Sequence, residues 1–117
     1  MIITVTPNPG IDLTLTVPRL EHNTVLRAVE TRSDLGGKGF NVSRALQALG
    51  ARSIAMGFVG GYTGQRMTDG LLAAGIETDF VRIAAETRTN VVVTDESAAE
   101  HLKVNEPGPV IQPEETA

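Results

Sequence analysis

The most constraining feature of the sequence is that its strand-forming segments are of two kinds. Ile2–Thr6 and residues 54–59 are short runs of apolar and β-branched residues, the pattern of strands buried on both faces. Residues 11–17 instead alternate strictly, with Leu13, Leu15 and Val17 on one side and Asp12, Thr14 and Thr16 on the other. Such a strand needs one dry face and one face open to water or a ligand. A fold that holds both kinds needs a helix-covered parallel sheet and a separate small sheet with one open face.

Helical segments sit between the buried strands. Val42, Ala45, Leu46 and Leu49 fall at i, i+3, i+4 and i+7, which predicts an amphipathic helix from Asn41, closed at Gly50. Residues 64–74 carry Met67, Leu71, Leu72 and Ala74 and close at Gly75, predicting a second helix whose apolar positions are core. Residues 25–30 and 80–83 are expected as strands, and 90–94 with 101–104 as the arms of a hairpin. The order of buried strand, helix, strand, helix, strand implies right-handed crossovers and a parallel sheet. At the far end Gln112-Pro113-Glu114-Glu115 reads as the first turn of a helix. A frayed polar tail and truncation of a longer protein both account for its stopping at Ala117.

At 117 residues the chain suffices for one domain with a modest core, and with only one Tyr, three Phe and no Trp that core is aliphatic. A polar ligand would be held here by hydrogen bonds more than by ring stacking. The formal charge of −4 argues against a general nucleic-acid binder. The absence of cysteine removes disulfides, thiolate metal sites and thiol catalysis, and fits a reducing cytoplasm. No apolar stretch approaches the roughly 20 residues of a membrane span, and the start lacks the pattern of a secretory signal. A cytoplasmic protein without membrane or nucleic-acid partners is expected. His22 and His101 stand apart from each other and from any acidic cluster, so no metal site is expected.

The residues that carry chemistry cluster at Gly36-Gly37-Lys38-Gly39, just before the first helix. Glycines let a backbone approach a ligand closely, and the N–H groups of a helix start attract anions and hydroxyl oxygens. The cluster is not a Walker loop, because Gly39 follows Lys38 where Ser or Thr belongs, nor a dinucleotide fingerprint, because Val42 holds the third glycine position. On composition alone a tight turn into a helix accounts for the glycines as well as a ligand loop does.

The run from Gly36 through Asn41, Ser43 and Arg44 to Leu46, with Leu49-Gly50, Gly60-Gly61 and Gly64 behind it, resembles the N-terminal signature of the PfkB sugar kinases. Thr4-Val5-Thr6-Pro7-Asn8-Pro9-Gly10-Ile11-Asp12 is similar to the opening of their 1-phosphofructokinase and tagatose-6-phosphate kinase branch. Thr87-Arg88-Thr89-Asn90 and Asn105-Glu106-Pro107-Gly108-Pro109 fit the same branch in order. The resemblance implies an α/β fold, the N-terminal part of a ribokinase-like three-layer sandwich, with a small β-sheet lid from strands near 11–17, 25–33 and 89–104. It implies transfer of the γ-phosphoryl of ATP, with Mg²⁺, to a ketohexose phosphate. Fructose 1-phosphate is the first choice of substrate, ahead of tagatose 6-phosphate and fructose 6-phosphate.

By position, Asp12 matches the family's carboxylate that binds sugar hydroxyls; apart from the resemblance it is an ordinary acid on a polar strand face. Gly37, Lys38 and Asn41 match the loop and helix start that close on the sugar. Arg88 matches the cation for the substrate's own phosphate, with Arg27 and Lys103 as further candidates; Asn90 orients the sugar or caps the hairpin. Phe40 and Val25 depart from the branch's commoner residues. The catalytic base of the family lies in a Gly-Ala-Gly-Asp motif that these 117 residues do not contain. The chain is therefore expected to carry the sugar half without the ATP site; a non-catalytic sugar-phosphate-binding or dimerisation module is the alternative. Lid-to-lid pairing in the family, together with the apolar alternate face of residues 11–17, predicts a homodimer through the lids.

Overall fold

The computed structural model describes residues 1–116. The elements run β1 (Ile2–Thr6), β2 (Gly10–Val17), β3 (Glu30–Gly36), α1 (Lys38–Ala48), β4 (Ser53–Val59), α2 (Gly61–Ala73), β5 (Glu77–Arg82), β6 (Arg88–Asp95) and β7 (His101–Val104), followed by a 3₁₀ turn at Pro113–Thr116. They form two sheets. The first is parallel, in the order β1-β4-β5. The second is mixed, in the order β3-β2-β6-β7, with β2 antiparallel to β3, parallel to β6, and β6 antiparallel to β7. The two kinds of strand pattern thus belong to two different sheets.

The core lies between the parallel sheet, the helices and the root of the second sheet. Ile11, Phe40, Ala55, Met67, Leu71 and Ile76 are buried together, with Leu35 and Phe80 packed on them. Phe40 and Phe80 meet edge to face, ring centroids 5.7 Å apart, a favoured aromatic geometry. Burying a side chain the size of Met67 or Leu71 contributes about 1.5–3 kcal/mol each. Ile11 is the first dry-face residue of β2, so the small sheet is anchored to the core at one end.

Helix α1 differs from its sequence expectation in two ways. It begins at Lys38 rather than Asn41, and its buried residues are Phe40 and Ser43. The expected stripe turns outward, with Val42 49% and Leu49 82% exposed. Two anchors set this rotation: the Phe40 ring in the core and a 2.7 Å buried hydrogen bond between the Ser43 and Thr4 hydroxyls. Helix α2 follows expectation at Met67 and Leu71, whereas Leu72 is 54% exposed.

The lid expectation also needs one correction. No strand forms over 25–29; the edge strand is β3, from Glu30 onward. Its register, Thr16↔Glu30 to Gly10↔Gly36, is set by where β2 ends. Beyond Val17 the chain turns at Pro18, so residues before Glu30 have no ladder to join, and only Val29 N–H reaches back to the Thr16 carbonyl. The 90–104 hairpin forms as expected, with Val91↔Val104 and Thr94↔His101 in register. At the C-terminal end Glu115 folds back, its carboxylate accepting the Ala84 N–H at 2.9 Å.

No helix among the described residues is long and apolar enough to cross a membrane.

Candidate functional site

The polar face of the mixed sheet and the start of α1 enclose a cavity of about 520 Å³. Strand alternation supplies one wall. Asp12 and Asn90 are direct neighbours on β2 and β6, and Lys103 on β7 stands in the next row, opposite Val92. Gly37, Lys38 and Asn41 form the opposing wall, and Arg88 closes the end near the β1–β2 turn. Seven of the eight residues singled out from the sequence therefore line one cavity. The eighth, Arg27, is exposed on the segment before β3 and does not line this cavity.

Hydrogen bonds hold the wall rigid. Asn90 Nδ2 donates to Asp12 Oδ1 at 3.1 Å, and Asn90 Oδ1 accepts the Glu106 N–H at 3.2 Å. This fixes the Asn90 amide and leaves Asp12 Oδ2 free of partners within the wall. Glu106 in turn accepts the Thr89 N–H at 2.7 Å, while Arg88 donates to the Glu106 carbonyl at 3.4 Å. On the other side Arg44 donates to the Leu35 carbonyl and to Asn41 Oδ1, so Asn41 is held from within its own helix. The cleft continues past Gly36 and Gly37 along Ser33, Asp34 and Arg44.

Glycine is required where backbone and side chains crowd this wall. A Cβ on Gly10 would lie 2.8 Å from Arg88 Cγ. Gly37 has φ 141°, a left-handed value that disfavours other residues. It precedes α1 without any side-chain cap, so the first N–H groups of the helix stay free of side-chain partners.

Charge is the second property of the site. Lys38, Arg88 and Lys103 line the cavity against the single carboxylate of Asp12. Among the described residues the ion pairs are Arg19–Glu21, Arg32–Asp34 and Arg52–Glu77, so none of the three cavity cations is neutralised. An acidic chain thus presents a locally positive pocket, suited to an anionic polyhydroxyl ligand. Two buried side-chain polar atoms without a partner, Thr6 Oγ1 and Arg88 Nε, both belong to residues of this cavity. The sequence reading missed Thr6, Asn105 and Glu106 as site residues, although all three stood inside motifs it had marked.

Residues 6–115 match the pfkB family carbohydrate kinase model. The chain belongs to the pfkB family of carbohydrate kinases. It is 42% identical over 113 residues to a 1-phosphofructokinase of Haloferax volcanii, covering 96% of this chain and 36% of that protein. It is 34% identical over 116 residues to a tagatose-6-phosphate kinase of Staphylococcus epidermidis, covering 99% of this chain and 37% of that one. A crystal structure of a Staphylococcus aureus protein described as a phosphofructokinase superposes with a TM-score of 0.92 at 36% identity, over 98% of this chain and 37% of that one. The chain thus spans little more than a third of the length of the pfkB relatives it matches. Its two sheets are the N-terminal part of the ribokinase-like α/β architecture, the mixed sheet being the lid.

Proposed function

We propose that this chain is the sugar-binding part of an ATP-dependent ketohexose-phosphate kinase, with fructose 1-phosphate as first-choice substrate and tagatose 6-phosphate or fructose 6-phosphate next. The observation that carries this reading is the pairing of a fixed Asp12–Asn90 wall with three unneutralised cations in one cavity. Asp12 Oδ2 would accept a hydrogen bond from a sugar hydroxyl. The free N–H groups at the start of α1 can donate to sugar oxygens. Arg88, with Lys103 and Lys38 beside it, offers the guanidinium fork that phosphate oxygens prefer. Arg27 has no such place and is left out of the site.

ATP with Mg²⁺ would supply the phosphoryl group and the neutralisation of its charge. The Gly-Ala-Gly-Asp motif that carries the family's catalytic base does not occur in the sequence. In this reading the nucleotide site and catalytic base belong to a part of the kinase outside these 117 residues. The cytoplasm is the compartment that supplies ATP for such a reaction.

The test is a coupled assay with purified protein and the three sugar phosphates. The full-length protein is expected to phosphorylate at least one of them with ATP and Mg²⁺, and the 117-residue chain alone none. Absence of transfer by the full-length protein would refute the kinase reading, and turnover by the short chain would refute the division of labour.

A further inference from the structure

We infer that Thr6 is a positioning residue, the post that sets the height of the Gly37–Gly39 turn over the cavity; this rests on the sugar-phosphate reading of the site. Thr6 is the last residue of β1, in register with Gly57 of β4. That pairing holds the Thr6 backbone in the parallel sheet, and its carbonyl oxygen lies where a Cβ on Gly57 would collide with it. The Thr6 side chain reaches into the turn. The methyl Cγ2 lies 2.7 Å from where a Cβ of Gly37 would be, and Oγ1 occupies the place a Cβ of Gly39 would take. Neither glycine can therefore carry a side chain while Thr6 stands there, and the turn rests directly on it.

The hydroxyl is the second observation. Thr6 is only 7% exposed, and its Oγ1 is shielded from solvent without any hydrogen-bond partner. Leaving a buried hydroxyl unpaired costs about 1–3 kcal/mol, so a residue of Val's shape would suit the ligand-free fold better. A ligand cannot touch the shielded oxygen. The start of α1, by contrast, has N–H groups with no side-chain cap directly above it. The Thr6 hydroxyl is the acceptor held in reserve for a backbone N–H of the Gly37–Gly39 turn as the turn settles on bound sugar.

The test compares Thr6→Val and Thr6→Ser with the wild type in the full-length protein, by thermal melting without ligand and by steady-state kinetics with ATP and the three sugar phosphates. Thr6→Val is expected to melt at or above the wild-type temperature, to raise KM for the sugar phosphate by about five- to tenfold, and to leave KM for ATP unchanged. Thr6→Ser, which keeps the hydroxyl, is expected to recover most of the sugar KM. A wild-type sugar KM in Thr6→Val would overturn the inference. So would a Thr6→Val protein that melts well below both wild type and Thr6→Ser, because the hydroxyl would then be paired already. A wild type that phosphorylates none of the three sugars refutes the kinase reading instead, and the melting comparison still decides whether the hydroxyl is unpaired.

Discussion

Asp12 and Asn90 are 78 positions apart in the chain and hydrogen-bonded side by side in the lid. At this scale the candidate site is a matter of which polar atoms are already spoken for. Asn90 has both ends of its amide engaged, so its part is to hold Asp12. Asp12 sits half-buried on the polar face of β2, outside the core. Asp12→Ala is accordingly expected to raise the sugar KM and lower turnover in the full-length protein while the circular dichroism and melting temperature stay close to wild type. Unchanged kinetics would remove Asp12 from the site. Arg88 differs in kind, because it lines the cavity end with its guanidinium held by only a 3.4 Å hydrogen bond to the Glu106 carbonyl. Arg88→Ala should weaken sugar-phosphate binding by ~1.5–3 kcal/mol, roughly ten- to 150-fold, as for loss of a charged hydrogen-bonded partner. Equal losses for phosphorylated and unphosphorylated sugars, measured by calorimetry, would show that Arg88 does not read the phosphate.

Among the elements, the turn joining β6 to β7 is built around one carboxylate. Asp95 accepts the N–H groups of Leu20, Ser97 and Ala98 and the Ser97 hydroxyl, tying the lid hairpin to the loop after β2. These donors, the Leu20 N–H first, hold its carboxyl below the usual range. Glu86 is lowered in the same way, chiefly by the Thr63 N–H in the first turn of α2. A carboxyl with a depressed folded pKa contributes stability that is complete above the unfolded value of about 4 and is lost as the pH falls through the folded value. Asp95→Asn should therefore lower the melting temperature at neutral pH and flatten its decline on acidification below about pH 4. Parallel melting curves for mutant and wild type across that range would show that Asp95 carries no such linkage.

Over the whole molecule, the surfaces left uncovered are the informative part. The lid face away from the cavity carries two rows of aliphatic residues, Leu13-Val91-Val104 and Leu15-Val93-Leu102, with Leu102 and Val104 more than half exposed. We propose that this patch pairs with its own copy across a two-fold axis, giving a homodimer through the lids. Leu15→Glu in the full-length protein should shift its mass in light scattering from dimer to monomer. A monomeric wild type, or a dimer indifferent to the mutation, would move the interface elsewhere. The parallel sheet is open in a different place. Thr4 and Thr6 face α1, so Ile3 and Val5 point the other way and are 57% and 61% exposed, with Val81 on the same face of β5 at 42%. On α1, Val42 and Leu49 are exposed as well.

Local periodicity was enough to read the strands of both sheets, apart from β3, the existence of both helices, and the glycine turn with Lys38 and Asn41, because each signal lies within a few consecutive residues. Polar β3, Glu-Thr-Arg-Ser-Asp-Leu-Gly, has no such signal; it is a strand because β2 offers it a ladder up to Thr16. The parallel pairing of β2 with β6 was equally invisible, since it joins residues separated by the entire α/β core, and with it came the Asp12–Asn90 contact. The rotation of α1 shows the physical reason most clearly. Its sequence carries an apolar stripe, but the buried side of a helix is chosen by what it packs against, and here Phe80 and Thr4 select Phe40 and Ser43.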